Sequence, residues 1–370
     1  MNMKYFKDMI PLVRPNLPPK EVLLPELEKI IYSGYITEGE KVKEFEKQFS
    51  MYIGNKFAVS TNSGTASLHL ALILSGVNHN DEVISTPITA EPTNVVVLQT
   101  GAKIVWADVD YNTGNISPES IRKKITNKTK AIMVVHYAGI PANITRLQEI
   151  SEVYSIPIIE DAAHAFGARY KNKKIGNHSP YVIFSFQAIK HMTTVDGGML
   201  TVENITDYEK ARLIRWFGID KKISRDKNDI RVIGYKYHMN NINATVGIVQ
   251  LQFIEKVISK YISNGKYYDN ALKNISGVEL CNYYKGSEPS YWLYTMKVDS
   301  RKEFIKKLDE FGIQTSVMHK RNDLHSIFST SKTHLPNVDK FYSKMIHIPC
   351  GWWVGPQERE YIVDVIKKGW

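Results

Sequence analysis

Cysteine is scarce in this chain of 370 residues, whose two thiols are Cys281 and Cys350. They are too few for a disulfide framework or a thiolate zinc site, so we expect no bound metal and a reducing compartment. Long apolar runs are missing as well, because each hydrophobic stretch is interrupted before it could cross a bilayer. The start, MNMKYFKDMIPLVRPNLPP, lacks the apolar segment of a secretory signal, so we expect no export. These absences predict a cytoplasmic protein without a membrane segment.

A concentrated basic patch is also missing, although the net charge is +10. The densest basic runs, residues 171–174 and 212–222, are short and mixed with other residue types, and no nucleic-acid motif accompanies them. We therefore expect no nucleic-acid partner and interpret most of the lysines as a solvated surface. The alternative interpretation is a positive field that attracts an anionic substrate such as a sugar nucleotide.

Between about residues 57 and 205, short β-branched runs alternate with helical patterns, which is typical of a doubly wound α/β sheet with parallel strands. Strands are predicted at FAVST, DEVISTP, KIVWADVD, KAIMVVHYAG, PIIEDAA and VIFSF. Helices are predicted at TASLHLALILSG and NITRLQEISEVYS, where apolar residues recur at helical spacing.

The pattern changes at both ends of this region, and a chain of this length usually divides into two domains. Residues 1–30 are predicted to form an N-terminal arm, and residues 31–250 a large α/β domain that includes the helix EKVKEFEKQFS. Residues 251–370 are predicted to form a small α+β domain. Its predicted elements are one long helix, IVQLQFIEKVISKYISNGKYYDNAL, a strand-like SYWLYTMKV, and the helices EFIKKLDEFG and REYIVDVIKKG.

Lys190 follows a short apolar strand in the segment FSFQAIKHMTTVDGG. A lysine that forms a Schiff base must be held off the surface, because partial desolvation lowers its pKa and frees the amine to attack an aldehyde. Ser185, in the same segment, can offer a hydroxyl to a phosphate. A surface lysine after a strand is the other interpretation of Lys190.

Asp161 ends the short apolar strand in PIIEDAAHAFGARY, so we expect it to lie in the middle of the sheet. A buried acid there is suited to the pyridine nitrogen of pyridoxal phosphate, which a carboxylate keeps protonated so that the ring can accept electrons. A helix N-cap is the alternative interpretation of Asp161. His164 could stack near the ring or bond its phenolic oxygen, or it could make a structural contact.

A third motif, STNSGTASLHLAL, reads as a strand, a turn containing Gly64 and Thr65, and a helix. The unpaired amides and the dipole at the start of a helix suit a phosphate group. An ordinary capped helix fits the same pattern.

Taken together, these motifs closely resemble the DegT/DnrJ/EryC1/StrS family of pyridoxal-phosphate-dependent sugar aminotransferases. The resemblance implies the aspartate-aminotransferase fold (fold type I), an α/β fold with a mostly parallel seven-stranded sheet, flanking helices and a smaller α+β C-terminal domain. The similar segments, in order, are IPLVRPNLPP, SGYITEGEKVKEFE, SGTASLHLAL, DEVISTP, ADVD, VVHYAGIPAN, EDAAHAFGA, SFQAIKHMTTVDGG, GYKYHMNNINATVG and HIPCGWWV.

The family resemblance also implies a cytoplasmic homodimer with pyridoxal 5'-phosphate bound in each active site. The implied cofactor contacts are Lys190 as the Schiff-base lysine, Asp161 at the pyridine nitrogen, His164 near the ring hydroxyl, and the Ser185 hydroxyl with the amides of Gly64 and Thr65 at the phosphate. Thr37, in GYITEG, resembles a position at the rim of the substrate site.

Three residues depart from the family pattern. Ala90 stands where relatives carry an aromatic residue that lies over the cofactor ring, so another group must supply that stacking. Lys236 replaces the asparagine that reaches the cofactor phosphate of the partner subunit in relatives, and it could make that contact as a charge. Gln187 stands where many relatives have His or Tyr, which bears on substrate choice.

The implied activity is transfer of an amino group from an amino acid, expected to be glutamate, to a keto-sugar, expected to be a nucleotide-linked 3-keto or 4-keto deoxysugar, in the biosynthesis of a surface polysaccharide such as O-antigen. Lysine at position 190 favours transamination, since relatives that dehydrate a keto-sugar carry histidine there. The alternatives are dehydration or deoxygenation, transamination of a free keto-sugar acid, and a non-catalytic regulatory protein. The segment HKRNDLH places His319, Arg321 and Asn322 as substrate contacts, or as a polar loop without a ligand.

Overall fold

The computed structural model describes residues 9–331 and 333–370, so residues 1–8 of the predicted arm lie outside the described residues. The α-helices are α1 Lys20–Ile31, α2 Glu40–Ile53, α3 Gly64–Leu74, α4 Glu91–Gln99, α5 Pro118–Lys124, α6 Ile144–Tyr154, α7 Ile205–Ile214, α8 Asn241–Leu251, α9 Ile254–Ala271, α10 Arg301–Glu310, α11 Pro336–Lys344 and α12 Pro356–Lys367. The strands are β1 Phe57–Thr61, β2 Glu82–Ser85, β3 Lys103–Trp106, β4 Thr129–Val135, β5 Ile158–Asp161, β6 Arg169–Tyr170, β7 Lys173–Lys174, β8 Tyr181–Ser185, β9 Gly198–Val202, β10 Val278–Leu280, β11 Ser287–Glu288, β12 Tyr294–Val298 and β13 Met345–Ile348.

In the described part of the chain, the central sheet has seven strands in the order β1-β9-β8-β5-β4-β2-β3. Strands β8, β5, β4, β2 and β3 pair in parallel, whereas β9 runs antiparallel to both β1 and β8. Because β1 and β8 both run against β9, the carboxyl ends of β1, β5 and β8 meet at one edge of the sheet. Ligands bind at this edge in open α/β sheets.

Apolar residues dictate this arrangement. The central strands are buried along nearly their whole length, as expected for parallel strands covered by helices on both faces. Helix α3 is buried on almost every side because it packs between the sheet and helices α4 and α7. These contacts fix the first turn of α3 beside the ends of β8 and β9. The mixed α/β architecture predicted from the sequence is confirmed.

A smaller antiparallel sheet, β10-β12-β13, follows in the chain and packs with α9, α10 and α12. The N-terminal segment joins this part, since Ile10 pairs with Ile313 and the amide of Leu12 donates to Gln314 Oε1 at 2.9 Å. Helix α1 continues through residue 30, where the predicted arm ends. The division into domains at residues 30 and 250 stays a prediction.

Strand β9 and the long C-terminal helix are two of the elements that differ from the sequence predictions. Strand β9 was not predicted, and it completes the sheet by pairing with β1 and β8. The long helix predicted across residues 248–272 is interrupted between α8 and α9, where the amides of Gln252 and Phe253 donate to carbonyls three residues back. Such i→i+3 bonds tighten and end a helix without a glycine or proline. Among the described helices, none combines the length and apolarity that a bilayer span requires.

Candidate active site

A cavity of about 430 Å³ opens at the edge of the sheet where β1, β5 and β8 end. The residues that line it are Ser63, Gly64, Thr65, Leu68, Thr89, Ala90, Glu91, Pro92, Thr93, Asp161, Ala163, His164, Ile183, Ser185, Gln187, Ile189, Lys190, Asp196, Gly197, Trp292, Met318 and His319. Most of the residues predicted from the sequence therefore share one cavity.

One end of the cavity is an anion cradle at the start of α3. Ser63 caps this helix by accepting from the amide of Ala66 at 3.1 Å, and the amides of Gly64 and Thr65 precede the first intrahelical bond. A Cβ built on Gly64 would lie 2.9 Å from Cβ of Ser185, so the glycine allows the serine hydroxyl to approach the same point. Backbone amides, a helix dipole and a hydroxyl together suit a phosphate.

Lys190 lies in the turn that follows β8 and is half-buried at the cavity wall. Its backbone amide donates to the carbonyl of Gln187 at 2.9 Å, and Thr193 Oγ1 donates to the carbonyl of Phe186 at 3.0 Å. Burial lowers the pKa of the Lys190 amine to about 7, and the negative charge of Asp161 opposes this shift. A large fraction of the amine is therefore uncharged near neutral pH.

Asp161 ends β5 with 3% of its surface exposed. Thr93 Oγ1 donates to Oδ2 at 2.8 Å, and the amide of Ala163 donates to Oδ1 at 3.0 Å. Burial raises the pKa of the Asp161 carboxyl, so the carboxylate is stabilised by an added positive partner. The alternative reading of Asp161 as a helix N-cap is wrong, because the chain turns after β5 and continues into β6.

His164 is buried, and its Nδ1 has no hydrogen-bond partner in the described structure. The ring stacks on Trp292 with centroids 4.0 Å apart and planes at 21°. Lys190 Nζ lies 3.8 Å from the centroid of the same indole. Trp292 was missed at the sequence level, where it was assigned to a strand; its place before β12, far from Lys190 in sequence, gave no signal for this contact.

His319 lines the mouth of the cavity, and its ring is nearly parallel to that of His164 at 6.2 Å. Its Nδ1 lies 3.5 Å from Oε2 of Glu91. Burial lowers the pKa of His319 to about 4, so the imidazole is neutral at physiological pH. Gln187 is exposed at the mouth, and Ala90 leaves its side of the cavity without an aromatic ring.

Four predicted residues do not line this cavity. The guanidinium of Arg321 is engaged by Asp323 and Asp339, and the amide of Asn322 bonds the carbonyl of Thr89 at 2.9 Å. Both side chains therefore bind neighbouring parts of the chain, and their function as substrate contacts stays a prediction. Thr37 and Lys236 are exposed. Their contacts are backbone ones, with the carbonyl of Thr37 accepting from Asn241 and that of Lys236 from Asn62.

The described residues fit pyridoxal phosphate in shape and chemistry. The cradle at α3 accepts a phosphate, the low-pKa amine of Lys190 suits an aldehyde, and buried Asp161 suits a pyridinium nitrogen. The unpaired Nδ1 of buried His164 is a site for a ring oxygen. A cluster of three or more residues suited to holding a metal ion does not occur in the described parts of the chain.

Known proteins agree with this geometry. Residues 20–367 match the model of the DegT/DnrJ/EryC1/StrS aminotransferase family. AtS13 from Actinomadura melliaura is 37% identical with a TM-score of 0.96, covering 98% of this chain and 100% of that structure. Sugar aminotransferase CalS13 from Micromonospora echinospora is 35% identical with a TM-score of 0.95 over the same shares, 98% and 100%.

A curated relative adds a biological context. The spore coat polysaccharide biosynthesis protein SpsC of Bacillus subtilis is 31% identical over 362 residues, which cover 93% of each chain. The family match spans nearly the whole chain, and the fold and cavity agree with it. This chain therefore belongs to the DegT/DnrJ/EryC1/StrS aminotransferase family and is a pyridoxal-phosphate-dependent sugar aminotransferase.

Proposed function

We propose that this enzyme transfers the amino group of glutamate to a nucleotide-linked 3-keto or 4-keto deoxysugar, with Lys190 as the residue that holds the cofactor covalently. The proposal rests on one observation: Lys190, Asp161 and the anion cradle of α3 line the same cavity. When bound, the cofactor supplies an electron sink for the bonds broken at the reacting carbon.

The side chains divide the work. Lys190, with a pKa near 7, serves as the base that takes a proton from the amino donor and later returns one. Asp161, oriented by Thr93, keeps the pyridine nitrogen protonated, and its own burial strengthens that contact. The unpaired Nδ1 of His164 would bond the ring oxygen. The hydroxyl of Ser185 holds the phosphate with the amides of α3.

The sugar is proposed to bind at the mouth of the cavity, where Gln187, Glu91 and His319 offer hydrogen-bonding groups. A net charge of +10 favours an anionic, nucleotide-linked substrate. We assign the product to a surface polysaccharide such as O-antigen, and the enzyme to the cytoplasm, where nucleotide sugars are made. SpsC, which is named for the biosynthesis of spore coat polysaccharide, supports a polysaccharide pathway in general.

The substrate is tested with purified enzyme, glutamate and a panel of nucleotide-linked 3-keto and 4-keto sugars, with free keto-sugar acids as the competing class. We expect 2-oxoglutarate to form in step with one aminated nucleotide sugar. Turnover of a free keto-sugar acid with no turnover of any nucleotide-linked sugar would contradict the proposal.

We further propose a homodimer whose active sites are shared. The large hydrophobic side chains of Tyr35, Ile36 and Val195 are exposed, and we call these three residues the rim patch. Asparagines at the start of α8 hold the patch, since Asn241 bonds the carbonyl of Tyr35 at 2.7 Å and Asn243 that of Asp196 at 2.6 Å. An exposed apolar surface of this kind is typical of an interface. Contact at this patch would bring Thr37 of one chain to the rim of the partner's site.

Lys236 is proposed to reach the cofactor phosphate of the partner subunit, as a charge-assisted bond. Lys236→Ala should then weaken cofactor retention. Mixing this variant with Lys190→Ala should restore some activity, because each mixed dimer has one site with both lysines intact. Subunits that exchange without regaining activity would exclude the shared site.

A further inference from the structure

The segment from Ser290 to Trp292 is bonded to both chain neighbours of Lys190. The indole N–H of Trp292 donates to the carbonyl of Ile189 at 2.8 Å. On the other side, His191 Nε2 lies 3.0 Å from the carbonyl of Ser290 and donates to it. The two residues that flank Lys190 are therefore each bonded to a residue that lies about a hundred positions away in sequence.

Trp292 also faces the side chain of Lys190. Only 2% of its surface is exposed, and Lys190 Nζ lies 3.8 Å from the centroid of its ring. The face of an indole carries partial negative charge and attracts a cation, most strongly where water is excluded. The same ring stacks on His164, so one side chain orients two groups of the site.

We propose that Trp292 is a positioning residue that holds the free amine of Lys190, in its ammonium form, against the indole face at the cavity wall. The proposal rests on the assignment of Lys190 as the lysine that bonds the cofactor. A lysine that held the cofactor covalently would have to leave it and bond it again in each turnover, and a fixed resting place would shorten its return. Trp292 thereby connects the chain entering β12 to the reacting amine.

Several charged and titratable groups set the protonation of Lys190. Burial disfavours its ammonium form and Asp161 favours it. His164, His191 and His319 face the lysine, and burial lowers the pKa of each, so they are neutral near pH 7. The indole face of Trp292, like the Asp161 carboxylate, favours the ammonium form of Lys190. Removing the indole face should therefore lower the pKa of Lys190 further.

The test measures this pKa in the cofactor-free protein, from the pH dependence of Lys190 acetylation by acetic anhydride, read by peptide mass spectrometry. We expect Trp292→Leu to lower the pKa by about one unit, the shift that a desolvated cation–π contact supports, and Trp292→Phe to fall between. Trp353→Leu is the matched control, because the Trp353 indole also bonds a backbone carbonyl, that of Pro11, yet lies outside the cavity lining. It should leave the pKa unchanged.

An unchanged or raised pKa in Trp292→Leu would overturn the proposal, since water entering an emptied site raises the value. If Trp292→Leu does not fold, fluorinated tryptophan incorporated into the wild type keeps the shape of the ring and weakens its negative face. The pKa of Lys190 should then fall as the number of fluorine atoms on the indole increases. In Trp292→Phe, fluorination of the remaining tryptophans should leave this pKa unchanged. A flat response in the wild type would also refute the role. The assignment of Lys190 itself is tested separately, by borohydride reduction of the cofactor-bound enzyme.

Discussion

A lysine amine attacks an aldehyde in its uncharged form, so under the proposed function of Lys190 its pKa should set the pH at which the enzyme takes up its cofactor. Burial lowers this pKa from 10.5 to about 7, which means that the amine is mostly charged below pH 7 and mostly neutral above it. We predict that the rate of covalent cofactor uptake rises about tenfold per pH unit below 7 and levels above it. Stopped-flow absorbance after mixing cofactor-free enzyme with pyridoxal phosphate measures this rate. A rate that keeps rising to pH 10 would contradict the shift.

The carboxylate of Asp161 is predicted to act through its charge. Asp161→Asn keeps the size of the side chain but loses the negative charge that we propose faces the ring nitrogen, so the turnover number should fall by about 10² to 10⁴ while the cofactor still binds. Thr93→Val removes the hydroxyl that orients Asp161 and should cost less than Asp161→Asn. Full activity in Asp161→Asn would leave this residue with a structural function alone.

At the scale of elements, the start of α3 is shaped by the approach of two strands. A Cβ at position 64 would collide with Ser185, and one at Gly198 would lie 2.4 Å from the carbonyl oxygen of Ser63. We therefore predict that Gly64→Ala widens the cradle and raises the dissociation constant for pyridoxal phosphate at least tenfold, measured by equilibrium dialysis.

Gly355→Ala provides the matched control for this change. Gly355 caps α12 in an extended conformation, and its added Cβ would meet the movable carboxylate of Glu358. Its cofactor affinity should equal that of the wild type. Equal affinity in Gly64→Ala as well would mean that the cradle does not hold the phosphate.

Sequence patterns predicted the elements whose signal is local. The parallel strands are β-branched runs, and Asp161 and Ser185 each end such a run, so topology alone brought them to one edge. Strand β9 begins with glycine and is defined by pairing with strands far away in sequence, which no local pattern reveals.

The tertiary contacts of the C-terminal part could not be predicted from local sequence patterns for the same reason. Trp292 meets Lys190 through tertiary packing. Arg321 is the type of residue that binds anions, but its guanidinium forms an ion pair with Asp339. The two residues are brought together only by the fold. An arginine that is paired in this way cannot be distinguished from a binding residue in a single sequence.

For the whole molecule, the rim patch is the feature that predicts assembly. Tyr35 exposes 79% of its surface and Val195 58%, and Val195 directly precedes Asp196, which lines the cavity. We predict that Tyr35→Asp shifts the protein from dimer to monomer in sedimentation experiments and lowers activity in parallel, because a charge in an apolar interface is costly. Val153→Asp, at an exposed apolar position on α6, should change neither property. An active monomer in either variant would contradict the shared site.

The central claim is that Lys190 bonds the cofactor, and the most direct test is reduction of the holoenzyme with borohydride followed by peptide mass spectrometry. We expect one pyridoxyl group per chain, on the peptide that contains Lys190, and loss of both this label and turnover in Lys190→Ala with an unchanged thermal transition. A label on another lysine, or amino transfer by Lys190→Ala at the wild-type rate, would contradict the account.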